Sequence, residues 1–174
     1  RAGSMQQVLK RADFKKRLQA GQDVTLLEML YPLLQGYDSV KVRADVELGG
    51  TDQLINVLMG RRIQRYFEMD EQDILTVPLL EGLDGVRKMS KTLKNYIALT
   101  EEPSSMFGKV MAIPDSLIIR YFWLATDVPE RDIKNFERAL ANRAANPKEV
   151  KSRLASEIVA RYYGAEAARA AAGR

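Results

Sequence analysis

Two lysines lie three residues apart in a glycine-containing segment, residues 82–95, and this spacing could hold a polyphosphate. Lys88 and Lys91 carry flexible point charges, which suit phosphate oxygens. Gly82 and Gly85 indicate a turn just before them. A charged loop is more often simply solvated, so the segment needs support from the rest of the chain. Further hydroxyl and amide groups nearby are those of Ser90, Thr92 and Asn95.

A second group of polar residues follows a leucine-rich stretch. Tyr31, Gln35 and Asp38 have spacings of four and three, which place them on one stripe if the segment is helical. Polar residues at the end of a surface helix would explain them equally well. The functional alternative is a small pocket that recognises a zwitterion or a hydroxyl, since a site that hydrogen-bonds a hydroxyl rejects the analogue lacking it.

A glycine pair connects a predicted strand to a predicted helix. Residues 39–48 alternate and are rich in valine, which predicts a strand that ends at Gly49 and Gly50. A helical pattern follows at once, and its N-terminus offers unpaired N–H groups to an anion. Asp52 and Gln53 stand at this start. Asp52 could be a helix cap, or its carboxylate could bind a ribose hydroxyl while the Gln53 amide binds a carboxyl group.

Residues 73–80 predict a second short strand, with Pro78 near its end. The two-lysine segment comes directly after it. In open α/β sheets, ligands bind outside the carboxyl ends of the strands. If the two strands are parallel, the Gly49–Gly50 turn and the lysine segment meet in one crevice, which would be a nucleotide site. The chain thus has the strand–turn–helix order of an α/β fold.

The remaining segments are predicted to be helical. Residues 5–20 form an amphipathic pattern that Gly21 ends, and Thr25–Leu34 begins with the spacing of a capping box. Beyond about residue 100 only helical periodicity is visible, so we expect a small helical bundle. Helix starts there are marked by Pro114, Pro129 and Pro147, the last preceded by Asn146 as an N-cap.

Composition narrows the chemistry. The 174 residues contain no cysteine and no histidine and have a formal net charge of +4. Thiolate chemistry and a histidine base are therefore excluded for this chain, and no protein metal site is expected. The positive charge permits an RNA partner, with basic residues in excess beyond residue 130. No apolar run is long enough for a bilayer, and the missing cysteines fit a reducing cytoplasm, so we expect a cytoplasmic protein without a membrane partner.

Three sequence stretches resemble the bacterial tyrosyl-tRNA synthetases, a family of class I aminoacyl-tRNA synthetases. They are YPLLQGYD, VELGGTDQLINVLMGR and TVPLLEGLDGVRKMSKTLKNYI, and similarity extends to the segments KVMAIPD and NPKEVKSRLASEIV. KMSKT matches the KMSKS signature of the family, with Thr92 in the last position.

The resemblance implies roles for four residues in binding L-tyrosine. Tyr31 and Gln35 would hydrogen-bond the α-amino group. Asp38 would accept the phenol hydroxyl and so reject phenylalanine. Gln53 would lie at the carboxyl group of the substrate.

The resemblance also implies an ATP site. Gly50 and Asp52 would contact the ribose, and Lys88, Lys91 and Thr92 would hold the departing pyrophosphate as the catalytic residues. ATP is a substrate here, with Mg²⁺ accompanying it. Further ATP contacts implied by the two motifs are those of Gly49, Met89 and Ser90.

The expected architecture follows from the same resemblance. Residues 1–100 would be the second half of a Rossmann-like catalytic domain, and residues 101–174 the helical domain that begins anticodon recognition. The enzyme would be a tyrosine–tRNA ligase that acts on tRNA(Tyr) as a homodimer, through the helix around Leu26–Leu34. The His-Ile-Gly-His signature has no counterpart here, so we expect this chain alone to be inactive. Alternatives are a non-catalytic RNA-binding module and a tryptophanyl-type synthetase.

Overall fold

The computed structural model describes residue 9 and residues 12–173. The chain forms two compact units, one ending at Leu79 and the other beginning at Leu80. The predicted boundary at residue 100 separates a catalytic domain from a helical domain, which is a different division from that into compact units. It stays a prediction. The predicted helix over residues 5–20 is seen as α1, Ala12–Gln19, and its earlier part lies outside the described residues apart from Leu9.

The main helix of the first unit is α2, Leu26–Val42. Its start is fixed locally, because the Thr25 hydroxyl accepts a hydrogen bond from the Glu28 N–H at 3.3 Å and the Glu28 carboxylate accepts one from the Thr25 N–H at 2.8 Å. This reciprocal pair confirms the predicted capping box. The helix, however, continues eight residues beyond the predicted end at Leu34.

The predicted strand over residues 39–48 is therefore wrong in its first part. Residues 39–42 are the last turn of α2, and the helix ends at Arg43 in the left-handed conformation, with φ 57° and ψ 49°. The Ala44 N–H closes that turn by donating to the Ser39 carbonyl at 3.1 Å. Valine at positions 40 and 42 favours a strand only weakly, and the packing of α2 in the fold overrides that preference.

Two short parallel strands form the sheet. Strand β1 is Val46–Gly50 and strand β2 is Asp73–Val77, with Gly50 opposite Val77. A 3-10 turn, Thr51–Gln53, leads from β1 into helix α3, Leu54–Tyr66. The parallel pairing confirms the condition on which the crevice prediction rests, and β2 ends just before Pro78.

Helix α2 packs closely on α3. A methyl group on Gly36 would lie 3.0 Å from the Ile63 side chain and 3.1 Å from the Met59 backbone, so the helices approach where α2 has no side chain. A polar network also lies between these elements and the strands. The Glu47 carboxylate accepts a hydrogen bond from the Ser39 hydroxyl at 3.0 Å and another from the Gln72 amide.

The second unit is helical. Its helices are α4, Pro103–Met111; α5, Ile118–Ala125; α6, Glu130–Ala141; and α7, Pro147–Ala172. Asn146 caps α7 by accepting from the Lys148 N–H at 3.0 Å, as predicted. Helix α7 breaks at Gly164, where φ is 86° and ψ is 165°. The largest buried side chains of the core are those of Tyr121, Phe122, Met106, Ile113, Ile118, Ile133 and Leu154.

Helices on a two-stranded parallel sheet place the chain in the α/β class, as expected. Within residue 9 and residues 12–173, no helix combines the length and the apolar character that crossing a membrane requires.

Candidate active site

The three polar residues after the leucine-rich stretch all lie on α2. Tyr31, Gln35 and Asp38 therefore share one stripe, as their spacing predicts. Tyr31 is 56% exposed, Asp38 is exposed and Gln35 is partly exposed. A phenol, an amide and a carboxylate thus stand at the surface of the first unit in a row, available to a ligand.

The glycine pair ends β1 and begins the 3-10 turn. A methyl group on Gly50 would lie 2.6 Å from Asp52 Oδ1 and 2.8 Å from Leu79 Cδ2, so the turn has no room for a side chain there. Asp52 is not a helix cap, because the N-cap residues are Gly50 for the 3-10 turn and Gln53 for α3, neither with a side-chain cap. The capping role that the sequence allowed for Asp52 is therefore not seen.

Gln53 is held in place by its neighbours. Its Oε1 accepts a hydrogen bond from the Asn56 amide at 2.8 Å, and its Nε2 lies 3.4 Å from Asp52 Oδ2. Asn56 is only 4% exposed and so provides a rigid support from α3. With Oε1 and one Nε2 hydrogen used in this way, the other Nε2 hydrogen is the group that Gln53 can offer to a carboxyl oxygen.

The two-lysine segment is a small hairpin in the second unit. Glu81 and Lys88 form an antiparallel bridge, and the Gly82 N–H donates to the Arg87 carbonyl at 2.8 Å. Gly85 turns the chain with φ 72°, a value that costs glycine little. The predicted turn is thus confirmed, and it brings Lys88 back opposite Glu81. Lys91 and Thr92 follow in an exposed turn.

The hairpin is braced from inside by two polar side chains. Asp84 Oδ1 accepts hydrogen bonds from the N–H groups of Arg87 at 2.9 Å and Val86 at 3.1 Å. These N–H groups, with Asn95 and the Arg87 guanidinium also donating, lower the pKa of Asp84 to about 2. Asp84 is therefore ionised at neutral pH, and the tip of the hairpin stays closed.

The base of the hairpin is attached to helix α5. The Tyr121 hydroxyl donates to the Glu81 carbonyl at 2.6 Å, and Arg120 Nε lies 2.8 Å from the Glu81 carboxylate. Burial of the phenol, with smaller effects of the Glu81 and Asp84 charges, raises the pKa of Tyr121 to about 12. These two contacts attach the lysine segment to helix α5 of the second unit.

The structure distributes the predicted site residues over both units. Residues up to Gln53 belong to the unit that ends at Leu79, whereas Lys88, Met89, Ser90, Lys91 and Thr92 belong to the unit that begins at Leu80. Sequence reasoning missed the parts played by Asp84 and Asn95. The signal for Asp84 was its place before a glycine in a turn, which favours Asx hydrogen bonds. In the part of the chain that the structure describes, no group of three or more metal-ligating side chains occurs.

With this geometry in place, comparison with known proteins defines the class. The chain belongs to the family described as "tRNA synthetases class I (W and Y)", whose profile matches residues 1–174. The resemblance inferred from the motifs is thereby confirmed.

Curated proteins similar to this chain include tyrosine–tRNA ligases. The enzyme of Dehalococcoides mccartyi strain CBDB1 is 51% identical over 168 residues, which are 97% of this chain and 42% of that enzyme. The enzyme of Coxiella burnetii is 53% identical over 161 residues, 92% of this chain and 40% of that enzyme. The chain thus spans about 40% of the length of these relatives.

A solved structure shows the same fold. The tyrosyl-tRNA synthetase of Archaeoglobus fulgidus, complexed with L-tyrosine, aligns with a TM-score of 0.65 at 22% identity, covering 98% of this chain and 59% of that one.

Proposed function

We propose that this chain is the part of a tyrosine–tRNA ligase that carries the second half of a Rossmann-like catalytic domain and the helical region after it. The observation that carries the proposal is the stripe of Tyr31, Gln35 and Asp38 in a chain whose curated relatives are tyrosine–tRNA ligases. The reaction is activation of L-tyrosine by ATP to tyrosyl-adenylate, followed by transfer to tRNA(Tyr).

The stripe matches the shape of the amino acid. Seven residues of helix separate Tyr31 from Asp38, which corresponds to a rise of about 10 Å. A tyrosine lying along α2 would therefore meet the phenol and the amide of Gln35 with its amino group and the carboxylate with its hydroxyl. Gln53 would meet the substrate carboxyl group. An acceptor for the phenol hydroxyl also separates tyrosine from phenylalanine and from tryptophan.

Activation needs charge neutralisation more than a base. The tyrosine carboxylate oxygen attacks the α-phosphorus of ATP, the bond from that phosphorus to the β-bridging oxygen breaks, and pyrophosphate leaves with the electron pair. Lys88 and Lys91 would neutralise the leaving charge and the Thr92 hydroxyl would donate to it. Mg²⁺ would arrive with ATP as part of the substrate.

The glycine turn would hold the nucleoside end of ATP. At Gly49 and Gly50 a ligand can approach the backbone, and Asp52 would accept from ribose hydroxyls. The backbone of Met89 and Ser90 lies between the two lysines and would follow the phosphates. In the second step a terminal ribose hydroxyl of the tRNA attacks the acyl carbon and forms an ester. The bond from that carbon to the phosphate oxygen breaks, AMP leaves with the electron pair, and the hydroxyl proton is released to solvent.

Two surfaces would contact partners in this proposal, one a tRNA and the other a second subunit. Arg131, Lys134 and Arg138 lie along α6 at spacings of three and four, a basic stripe suited to an RNA backbone.

Leu26 and Leu27 are 78% and 71% exposed on α2, an apolar surface that a second subunit would cover. A monomeric mass for the intact ligase would refute the homodimer. We propose that a ligase with these partners works in the cytoplasm, together with its tRNA.

The test is tyrosine-dependent exchange between ATP and pyrophosphate in a longer, complete ligase that contains residues 1–174. We expect exchange with tyrosine and none with tryptophan or phenylalanine. Lys91→Ala should slow exchange about 10²–10³-fold, the effect of losing one preorganised charge contact. The exposed Lys148 on α7 is the matched control, and its change to alanine should leave the rate unchanged.

Three results would contradict the proposal. Tryptophan-dependent exchange would support the tryptophanyl alternative. An unchanged rate for Lys91→Ala would remove that lysine from the site. Failure of tyrosine to raise the melting temperature of the longer protein would favour the non-catalytic RNA-binding module. The 174-residue chain alone should show no exchange.

A further inference from the structure

The carboxamide of Asn95 is the hub of the lysine hairpin. It is 5% exposed, and its Oδ1 accepts a hydrogen bond from the Ser90 N–H at 2.9 Å. Its Nδ2 donates to Asp84 Oδ2 at 3.0 Å and lies 3.3 Å from the Arg87 carbonyl and 3.2 Å from the Lys88 carbonyl. One side chain therefore joins both arms of the hairpin.

These contacts use both polar groups of the amide. The Ser90 N–H needs an acceptor, whereas the Lys88 carbonyl and the Asp84 carboxylate need donors, and only a side chain with both kinds of group satisfies all of them. The Lys88 carbonyl and the Ser90 N–H flank Met89. The amide thus hydrogen-bonds the backbone on both sides of Met89. These bonds fix the direction in which the chain continues toward Lys91.

The packing around the amide supports the same assignment. A methyl group on Gly82 would lie 2.3 Å from the Asn95 carbonyl oxygen and 2.5 Å from its Cγ and Nδ2. The Asn95 carbonyl also accepts from the Leu83 N–H at 2.8 Å. Backbone and side chain of Asn95 therefore both lie close against Gly82 on the first arm.

We propose that Asn95 is a positioning residue: it holds the backbone from Lys88 to Ser90 so that the ammonium groups of Lys88 and Lys91 meet the phosphates of ATP together. The inference rests on the proposed function. It adds that the geometry of the lysine segment is set by a buried amide four residues beyond Lys91, which itself touches no substrate.

The experiment compares Asn95→Ala and Asn95→Asp in the longer ligase. Alanine removes every contact of the amide. Aspartate keeps the acceptor for Ser90 but places a carboxylate against Asp84, which is ionised at neutral pH, so the like charges should repel. We expect ATP–pyrophosphate exchange at saturating tyrosine to fall 10–100-fold for alanine and further for aspartate. The KM for tyrosine should stay within twofold, because the tyrosine-binding residues lie in the first unit.

A second readout does not depend on catalysis. Hydrogen–deuterium exchange of the amides in residues 86–92 should rise at least tenfold in Asn95→Ala, while those in α4 and α7 keep their rates. Asn142, which is exposed at the end of α6, is the control, and Asn142→Ala should change neither measurement. If Asn95→Ala does not fold, Gly82→Ala keeps the amide but displaces it, and the same results are expected of it.

The outcomes separate this inference from the proposed function. If the unmodified ligase has no tyrosine-dependent exchange, the proposed function fails, and the hydrogen-exchange result still decides whether Asn95 holds the segment. If the unmodified ligase is active and Asn95→Ala keeps its full rate, the positioning role is refuted. Equal loss of protection in α4, α7 and the hairpin would also refute it, since the residue would then stabilise the unit as a whole.

Discussion

Replacement of Gly60 by alanine tests the polar network under the sheet. Gly60 is buried in the middle of α3. A methyl group there would lie 2.6 Å from Gln72 Nε2, 2.7 Å from Ser39 Oγ and 3.2 Å from Glu47 Oε2. The first two atoms are the donors to the Glu47 carboxylate. Both must therefore move away to make room, and β1 loses the bonds that tie Glu47 to α2 and to the start of β2.

The size of the effect follows from these contacts. A hydrogen bond to a charged group contributes about 1.5–3 kcal/mol, so two lost bonds cost about 3–6 kcal/mol. Alanine in place of a glycine inside a helix stabilises the helix by about 1 kcal/mol. The two effects together leave a net destabilisation of about 2–5 kcal/mol. Because Glu47 is only partly buried, water can replace some of the lost hydrogen bonding, and we expect about 2–3 kcal/mol, at the low end of that range.

The assay is hydrogen–deuterium exchange of the amides in α3 and β2, which reports the free energy of local opening. Gly108 in α4 is the matched control: its methyl group would meet no atom within 4 Å, so Gly108→Ala should stabilise α4 by about 0.5–1 kcal/mol. The reasoning would be refuted if Gly60→Ala also slowed exchange, because the network would then tolerate the methyl group at no cost.

Three further predictions concern single contacts. Thr25→Ala should destabilise α2 by about 1 kcal/mol through loss of the capping box. Hydrogen bonds from Arg17 and from Thr25 lower the pKa of Glu28 to about 2. The stabilisation by this cap should therefore be complete above pH 4.5 and decrease as pH falls toward 2. Thermal unfolding measured across this pH range checks it, and a stability that does not change with pH would contradict it. Tyr121→Phe should lower the free energy of unfolding by about 1 kcal/mol, measured by denaturation at pH 7. The raised pKa of Tyr121, about 12, means that its contribution is complete below pH 10 and is lost as pH rises toward 12, a loss that the phenylalanine variant should not show. Gly50→Ala should raise the KM for ATP roughly tenfold, equivalent to about 1.4 kcal/mol, and change the KM for tyrosine less; equal changes would place Gly50 elsewhere in the site.

Local signals were sufficient where the structure is decided by near neighbours. The capping box at Thr25, the cap at Asn146 and the glycine turn before Lys88 involve contacts within a few residues, so composition and spacing predicted them. The stripe on α2 was predicted for the same reason, since helical geometry alone relates its three residues.

The predicted strand over residues 39–48 is wrong over residues 39–42, because local preference and tertiary packing disagree there. Val40 and Val42 favour a strand, but Ser39 is buried on α2 and donates to Glu47, which stands eight residues later on β1. A helix through position 42 makes this contact, and the sequence pattern contains no sign of it.

From the sequence alone came the chemistry: two lysines in a turn, a glycine pair before a helix, and three polar residues on one helical face, enough to identify the family. Only the tertiary structure decided that the strands are parallel, that Asp52 is not a cap, and that Asn95 joins the two arms of the lysine hairpin. The physical reason is range. Capping and periodicity depend on residues one or two turns apart, whereas a buried amide acquires its partners only when distant segments have packed around it.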